Sequence, residues 1–82
     1  MKITYYEGKM KINSEYLDID IQPEFIAQSG SILSENIEFE IWYDGYIQIY
    51  ADAPLLNFKI YEEIVRVYKL FKNERDAFLN KT

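Results

Sequence analysis

Eighty-two residues with a formal charge of −5 and neither cysteine nor histidine describe one small acidic domain. That composition excludes disulfides, thiol nucleophiles, Cys/His zinc sites and imidazole acid–base chemistry. At this length a core is only just sufficient, so stability must come from apolar packing, a partner subunit included.

The first fifty residues alternate with a period of two, the pattern of half-buried strands. Strands are expected over about 2–6, 9–13, 16–22, 37–42 and 46–51. Ile3 and Tyr5, then Met10 and Ile12, take the apolar face of the first two. A two-residue Glu7-Gly8 turn sets Tyr5 opposite Met10 and Ile3 opposite Ile12. A two-residue Ser14-Glu15 turn would set Ile12 opposite Leu17 and Met10 opposite Ile19. It would also bring Lys11 across from Asp18 and Lys9 across from Asp20, a favourable pairing of charge.

The segment from Gln22 to Asn36 lacks alternation. Pro23 can open a short helical turn that Gly30 stops, with Phe25, Ile26, Ile32 and Leu33 anchoring the crossover to the core edge.

Glu38-Phe-Glu-Ile-Trp-Tyr-Asp-Gly-Tyr-Ile-Gln-Ile-Tyr50 is the most informative stretch. Asp-Gly invites a two-residue turn, but that would pair Ile41 with Gln48 and set apolar against polar throughout. A three-residue loop, Tyr43-Asp44-Gly45, with glycine in the left-handed region restores the phase. Ile41 then faces Ile47, Phe39 faces Ile49 and Ile37 faces Ala51. Trp42 meets Tyr46, Glu40 meets Gln48 and Glu38 meets Tyr50 on the other side.

From Asp52 the period changes to that of a helix over about 54–79, with Asp52 or Ala53 as cap and Pro54 in the first turn. Leu56, Ile60, Ile64, Val67, Phe71 and Phe78 share one face. A flanking stripe of Tyr61, Val65, Tyr68 and Leu79 widens the core, or, as Tyr61, Val65 and Tyr68, forms an oligomer seam. The expected fold is α+β: a two-layer sandwich, an antiparallel five-stranded meander packed on one long C-terminal helix, occupying 1–82 as a single domain.

The chemistry of the chain is sparse. No serine sits in a nucleophile elbow and no glycine-rich loop could cradle phosphate. Asp18/Asp20 and Glu38/Glu40 are i,i+2 carboxylate pairs, about 6.6 Å apart by strand rise. Such spacing suits a glycosidase or a hard cation, but nothing implies a cleft, so these pairs read as a solvated strand face. No enzyme, cofactor or metal is expected. Met1-Lys-Ile-Thr-Tyr-Tyr-Glu has no apolar signal region, and no apolar run approaches the roughly 18 residues of a membrane span. A cytoplasmic protein without membrane contact is expected.

Charge is uneven along the chain. Residues 1–54 hold ten acidic and three basic side chains, a balance of −7, and residues 55–82 hold four acidic and six basic, a balance of +2. The acidic part argues against direct nucleic-acid binding, which needs clustered Lys and Arg. Tyr6, Tyr16, Trp42, Tyr46 and Tyr50 should point away from the helix, among Asp18, Asp20, Glu38 and Glu40. Aromatic anchors ringed by charge describe a protein interface with a basic partner.

In character, short, acidic, cysteine-free and α+β, the chain resembles small phage-borne inhibitors such as anti-CRISPR and anti-restriction proteins. That resemblance rests on no motif and carries no site residues. It implies a partner that is a nuclease or another nucleic-acid-handling effector, bound through its basic channel. Two other readings fit the same residues: a homo-oligomer, such as a homodimer, binding a signalling nucleotide, and an immunity protein against a basic toxin.

Overall fold

A computed structural model describes residues 1–52 and 57–81. Six strands precede one helix: β1 (Lys2–Tyr6), β2 (Lys9–Asn13), β3 (Leu17–Ile21), β4 (Ala27–Ile32), β5 (Ile37–Trp42), β6 (Ile47–Tyr50) and α1 (Phe58–Leu79). The strands form a single antiparallel sheet in chain order, a meander with the C-terminal helix laid across one face. This is the expected α+β two-layer arrangement with one strand more than the sequence suggested.

That strand, β4, replaces the expected crossover with its short helical turn. Its inward positions are Gln28, Gly30 and Ile32, of which only Ile32 is apolar, so no alternation marks it. Each is nonetheless required. Gly30 sits opposite both Ile19 and Phe39, and a Cβ there would lie 2.7 Å from the Ile19 Cβ and 2.9 Å from the Phe39 ring. Gln28 is only 3 % exposed, and its amide acts as a piece of backbone. It accepts from the Gln22 N–H at 2.8 Å and donates to the carbonyls of Gln22 at 2.7 Å and Phe25 at 3.1 Å. Buried polar groups in the β3–β4 connection are thereby satisfied where the ladder ends. Of the four anchors expected here, Ile32 is buried, whereas Phe25, Ile26 and Leu33 lie on the surface.

The β2–β3 hairpin also departs from expectation. Ile12 pairs with Ile19 and Met10 with Ile21, a slip of two residues from the pairing that a two-residue turn gives. Ser14 is the cause: its Oγ accepts from the N–H groups of Tyr16 at 3.3 Å and Leu17 at 3.1 Å, which holds a longer loop. A slip of two keeps every side chain on its face, so the core is unchanged. Lys11 now stands opposite Asp20, so Lys9 no longer has Asp20 across from it.

The remaining turns form as the phase requires. Glu7 and Gly8 have φ of +47° and +78°, both left-handed, and the register of β1 with β2 is the expected one. The Tyr43–Gly45 loop has Gly45 at φ +101°, with Ile41 opposite Ile47, Phe39 opposite Ile49 and Glu38 opposite Tyr50. The Trp42 N–H donates to the Tyr46 carbonyl at 2.8 Å and closes the loop.

The helix starts later than expected. Asn57, not Asp52 or Ala53, is the cap, its Oδ1 accepting from the Lys59 N–H at 2.9 Å. Ala53, Pro54 and Leu56, assigned to the helix start by the sequence, lie outside the described residues. Ile60, Ile64, Val67 and Phe71 meet Met10, Ile12, Leu17, Ile19, Ile21, Ile32, Phe39 and Ile41 in one core. Phe78 and Leu79, placed on or beside the core stripe by helical spacing, are exposed at the far end. Tyr68 and Tyr61 are half-buried and Val65 is exposed. Glu63 is buried to 8 % exposure, its carboxylate paired with Arg66 at 2.9 Å.

Polar contacts fix the C-terminal half of α1 to the sheet. The Tyr43 hydroxyl donates to Asp76 Oδ1, Lys72 Nζ donates to Asp76 Oδ2 at 3.0 Å, and the Tyr68 hydroxyl donates to the Tyr43 carbonyl at 2.8 Å. The Arg75 guanidinium lies 4.9 Å from the Tyr43 ring centroid and donates to the Pro23 carbonyl at 2.9 Å. The loop that turns the Trp42 strand is thus held from behind by the helix.

Candidate protein-docking face

The sheet face opposite the helix carries every second residue of each strand. Lys2, Thr4 and Tyr6 come from β1, Lys9 and Lys11 from β2, Asp18 and Asp20 from β3. Ala27, Ser29 and Ser31 follow from β4, then Glu38, Glu40 and Trp42 from β5, and Gln48 and Tyr50 from β6. Among the described residues no second layer covers it.

Because the outward side chains of β4 are all small, the centre of this face is a trough. On its β3 side lies a hollow of about 390 Å³ lined by Lys11, Asp18, Asp20, Phe25, Ala27, Ser29 and Ser31. Asp18 and Asp20 stand on one bank and Glu38 and Glu40 on the other, since Ser31 pairs with both Asp18 and Glu38 and Ser29 pairs with Glu40. With strands roughly 4.8 Å apart, the two banks are about 10 Å from each other. The sequence placed all four carboxylates on this face. It missed the small floor between them, whose only signal is Ala-x-Ser-x-Ser at alternate positions.

Electrostatics divide the face into zones. Lys11 reaches both aspartates, its Nζ 3.5 Å from Asp18 and 3.8 Å from Asp20, and these charges raise its pKa above the usual lysine value. One lysine shared by two carboxylates leaves the first bank incompletely neutralised. Among the ion pairs of the described residues, Glu38 and Glu40 have no cationic partner. Glu40 is instead bound to aromatic side chains, and Glu38 stands opposite Tyr50 in the ladder. The Trp42 indole N–H donates to Glu40 Oε1 at 3.1 Å. The hydrogen bond of Tyr50 to Glu40 is the largest cause of a raised phenol pKa, with burial and the Glu40 charge following.

Trp42 is half-buried opposite Ala27, while Tyr46 and Tyr50 are more than half exposed. The Tyr46 hydroxyl donates to Gln48, which orients the ring along the strand. Glu38, Glu40, Trp42, Tyr46 and Tyr50 therefore form one connected zone at the β5–β6 side, and Asp18 and Asp20 face it across the trough. Tyr16, expected outside, instead packs on the hydrophobic core at the β2–β3 loop. The proposed oligomer residues Tyr61, Val65 and Tyr68 lie on the helix, in the other layer of the fold.

No cluster of three or more acidic groups among the described residues could hold a metal ion. The trough is open and shallow, which suits the insertion of side chains from a large partner better than enclosure of a small substrate. No helix of the described residues is long and apolar enough to cross a membrane. In comparisons with protein-family models, with curated proteins and with solved structures, no match was found.

Proposed function

We propose that the chain is a non-enzymatic binding protein whose outer sheet face docks on a protein with a basic surface and blocks it. The partner class is a nucleic-acid-handling effector such as a nuclease, whose basic channel presents the required Arg and Lys side chains. The carrying observation is the row of small residues on β4 with Asp18 and Asp20 on one side and Glu38, Glu40 and Trp42 on the other, Tyr50 standing next to Glu38 on β6. Long cationic side chains fit a floor made of Ala27, Ser29 and Ser31, where they would pair with carboxylates that lack a cation of their own. Aromatic side chains already oriented by hydrogen bonds lose little entropy on binding, which makes Trp42 the natural anchor.

The anti-CRISPR and anti-restriction inhibitors that the chain resembles in character act in this manner, and a cysteine-free chain suits the reducing cytoplasm where such effectors work. An immunity protein against a basic toxin would use the same face in the same way. A signalling-nucleotide sponge gains no support from it, since the carboxylates repel phosphate.

The test is capture of partners from the source cell with the wild-type chain and with a Glu38→Gln, Glu40→Gln, Trp42→Ala variant of unchanged circular dichroism. A basic protein retained by the first and released by the second is the expected result. Equal retention of the same proteins by both would sink the proposal.

A further inference from the structure

The outer edge of β1 is an unfinished part of the sheet. Among the described residues β1 hydrogen-bonds to β2 alone, and all five of its residues are exposed, Tyr5 to 66 %. A proline, a bulge and an inward-pointing charge are absent from Lys2–Tyr6, whose one charged residue, Lys2, lies at its start on the outer face.

Hydrogen-bond geometry shows what that edge can accept. A two-residue turn at Glu7-Gly8 makes the flanking pair, Tyr6 and Lys9, a hydrogen-bonded one, and the two kinds of pair then alternate. Thr4–Lys11 is therefore hydrogen-bonded, while Ile3–Ile12 and Tyr5–Met10 are not. The backbone N–H and C=O groups of Ile3 and Tyr5 point away from β2 and have no strand to meet.

We infer that β1 pairs with β1 of a second copy of this chain, antiparallel about a two-fold axis at Thr4, to make one continuous sheet. Among symmetric registers, Ile3 opposite Tyr5 of the other copy is the one that uses every outward backbone group of both strands. Placing Ile3 against itself leaves Tyr5 facing Met1, and placing Tyr5 against itself sets Ile3 against the Glu7 turn. In the chosen register Ile3 packs on Tyr5 across the seam on the helix side, Lys2 lies over Tyr6 on the outer side, and Thr4 meets Thr4. Apolar meets apolar, no like charges face each other directly, and the lysine–tyrosine contact is of the cation–π kind.

The side chains beside the seam also call for a second copy. Ile3 and Tyr5 lie on the helix side of the sheet and both stay exposed, Tyr5 even though its hydroxyl donates to Glu74 of the helix at 3.5 Å. Tyr5 and exposed Phe78 line an open hollow of about 610 Å³ at the β1–β2 turn, which reaches across to Pro23 and Glu24. Each copy brings three large side chains of β1 to the seam, Ile3, Tyr5 and Tyr6, all exposed in the single chain. The two-fold leaves both helices on one side and both docking faces on the other. The inference therefore stands independently of the proposed function.

Light scattering of the wild-type chain should give a dimer mass. With no native cysteine, Thr4→Cys places one thiol per copy on the axis, in a non-hydrogen-bonded pair about 4.5 Å apart at Cα, which a disulfide can bridge. On oxidation it should link nearly completely, whereas Lys2→Cys, about 14 Å from its mate by strand rise, should not. Tyr5→Lys should be monomeric with unchanged circular dichroism, and adding Ile3→Glu should restore the dimer by pairing opposite charges across the seam. A wild-type mass that stays monomeric up to millimolar concentration overturns the inference. So do a dimer that persists in Tyr5→Lys, Thr4→Cys linking no better than Lys2→Cys, and failure of the double variant to recover.

Discussion

Ile12 and Ile3 are the same residue type, on the same face, directly opposite each other across the β1–β2 ladder. Ile12 is 0 % exposed and Ile3 is 39 % exposed. The strand phase is identical, so the difference is one of reach. A helix with its side chains is about 10–12 Å across, too narrow to cover six strands spaced roughly 4.8 Å apart. The middle strands β2–β5 supply all the fully buried sheet residues, and β1 overhangs the helix. Alternation tells which way a side chain points, but not whether anything lies there to meet it.

The comparison breaks most directly at those two isoleucines. Ile12→Ala should cost about 2–5 kcal/mol, the sum of lost burial and the cavity left behind. Ile3→Ala should cost the isolated protomer under about 1 kcal/mol, in line with a surface change. Urea unfolding of dilute protein measures both, and equal losses would mean that β1 is buried after all. Should β1 pair with a second copy, the Ile3 loss will grow with protein concentration while the Ile12 loss will not.

Gly30 sharpens the same contrast within the middle. Gly30→Ala should cost about 1–3 kcal/mol, because the added methyl must displace Ile19 or Phe39 from a close-packed layer. Gly8, at the margin, has open space where a Cβ would go. There an alanine is penalised for its left-handed φ of +78° alone, by about 1 kcal/mol. Denaturation midpoints that rank the two in reverse order would show that packing is not what selects Gly30.

The smallest expected effect is at the other margin, where Asp76 ties the helix to Tyr43. Hydrogen bonds from Tyr43 first and Lys72 second, with the Lys72 and Arg75 charges, hold its carboxyl below the ordinary 3.8. A lowered folded value means stabilisation that is present above 3.8 and is lost as pH falls through the lowered value. Asp76→Asn should therefore be less stable than wild type at neutral pH, and the two should converge as pH falls through the lowered value. Thermal midpoints across that range read it, and a constant difference would assign the effect to packing instead.

Legibility followed the same physical lines. The Tyr43-Asp44-Gly45 loop was legible because two apolar alternations had to be joined in phase, and only an odd loop does so. The β2–β3 register was not, because a slip of two preserves the phase and the deciding contact is the Ser14 hydroxyl on its own loop. β4 was invisible because its inward positions are chosen by their neighbours: Gly30 by the space that Ile19 and Phe39 leave, Gln28 by the backbone of Gln22 and Phe25. For the candidate site, the acidic and aromatic members followed from strand parity, while the trough depended on β4 being a strand at all.

The sequence by itself determined the class of fold, the faces of five strands, the phase of the Trp42 loop and the exclusion of His and Cys chemistry. The last follows from composition, the others from periodicities of 2 and 3.6 residues, which act locally. Tertiary structure alone decided that Ser29 and Ser31 floor a trough between carboxylates, that Tyr16 turns inward and that β1 is left uncovered. Those outcomes depend on which strands become neighbours and on how far one helix can reach, and neither distance is written in any local pattern.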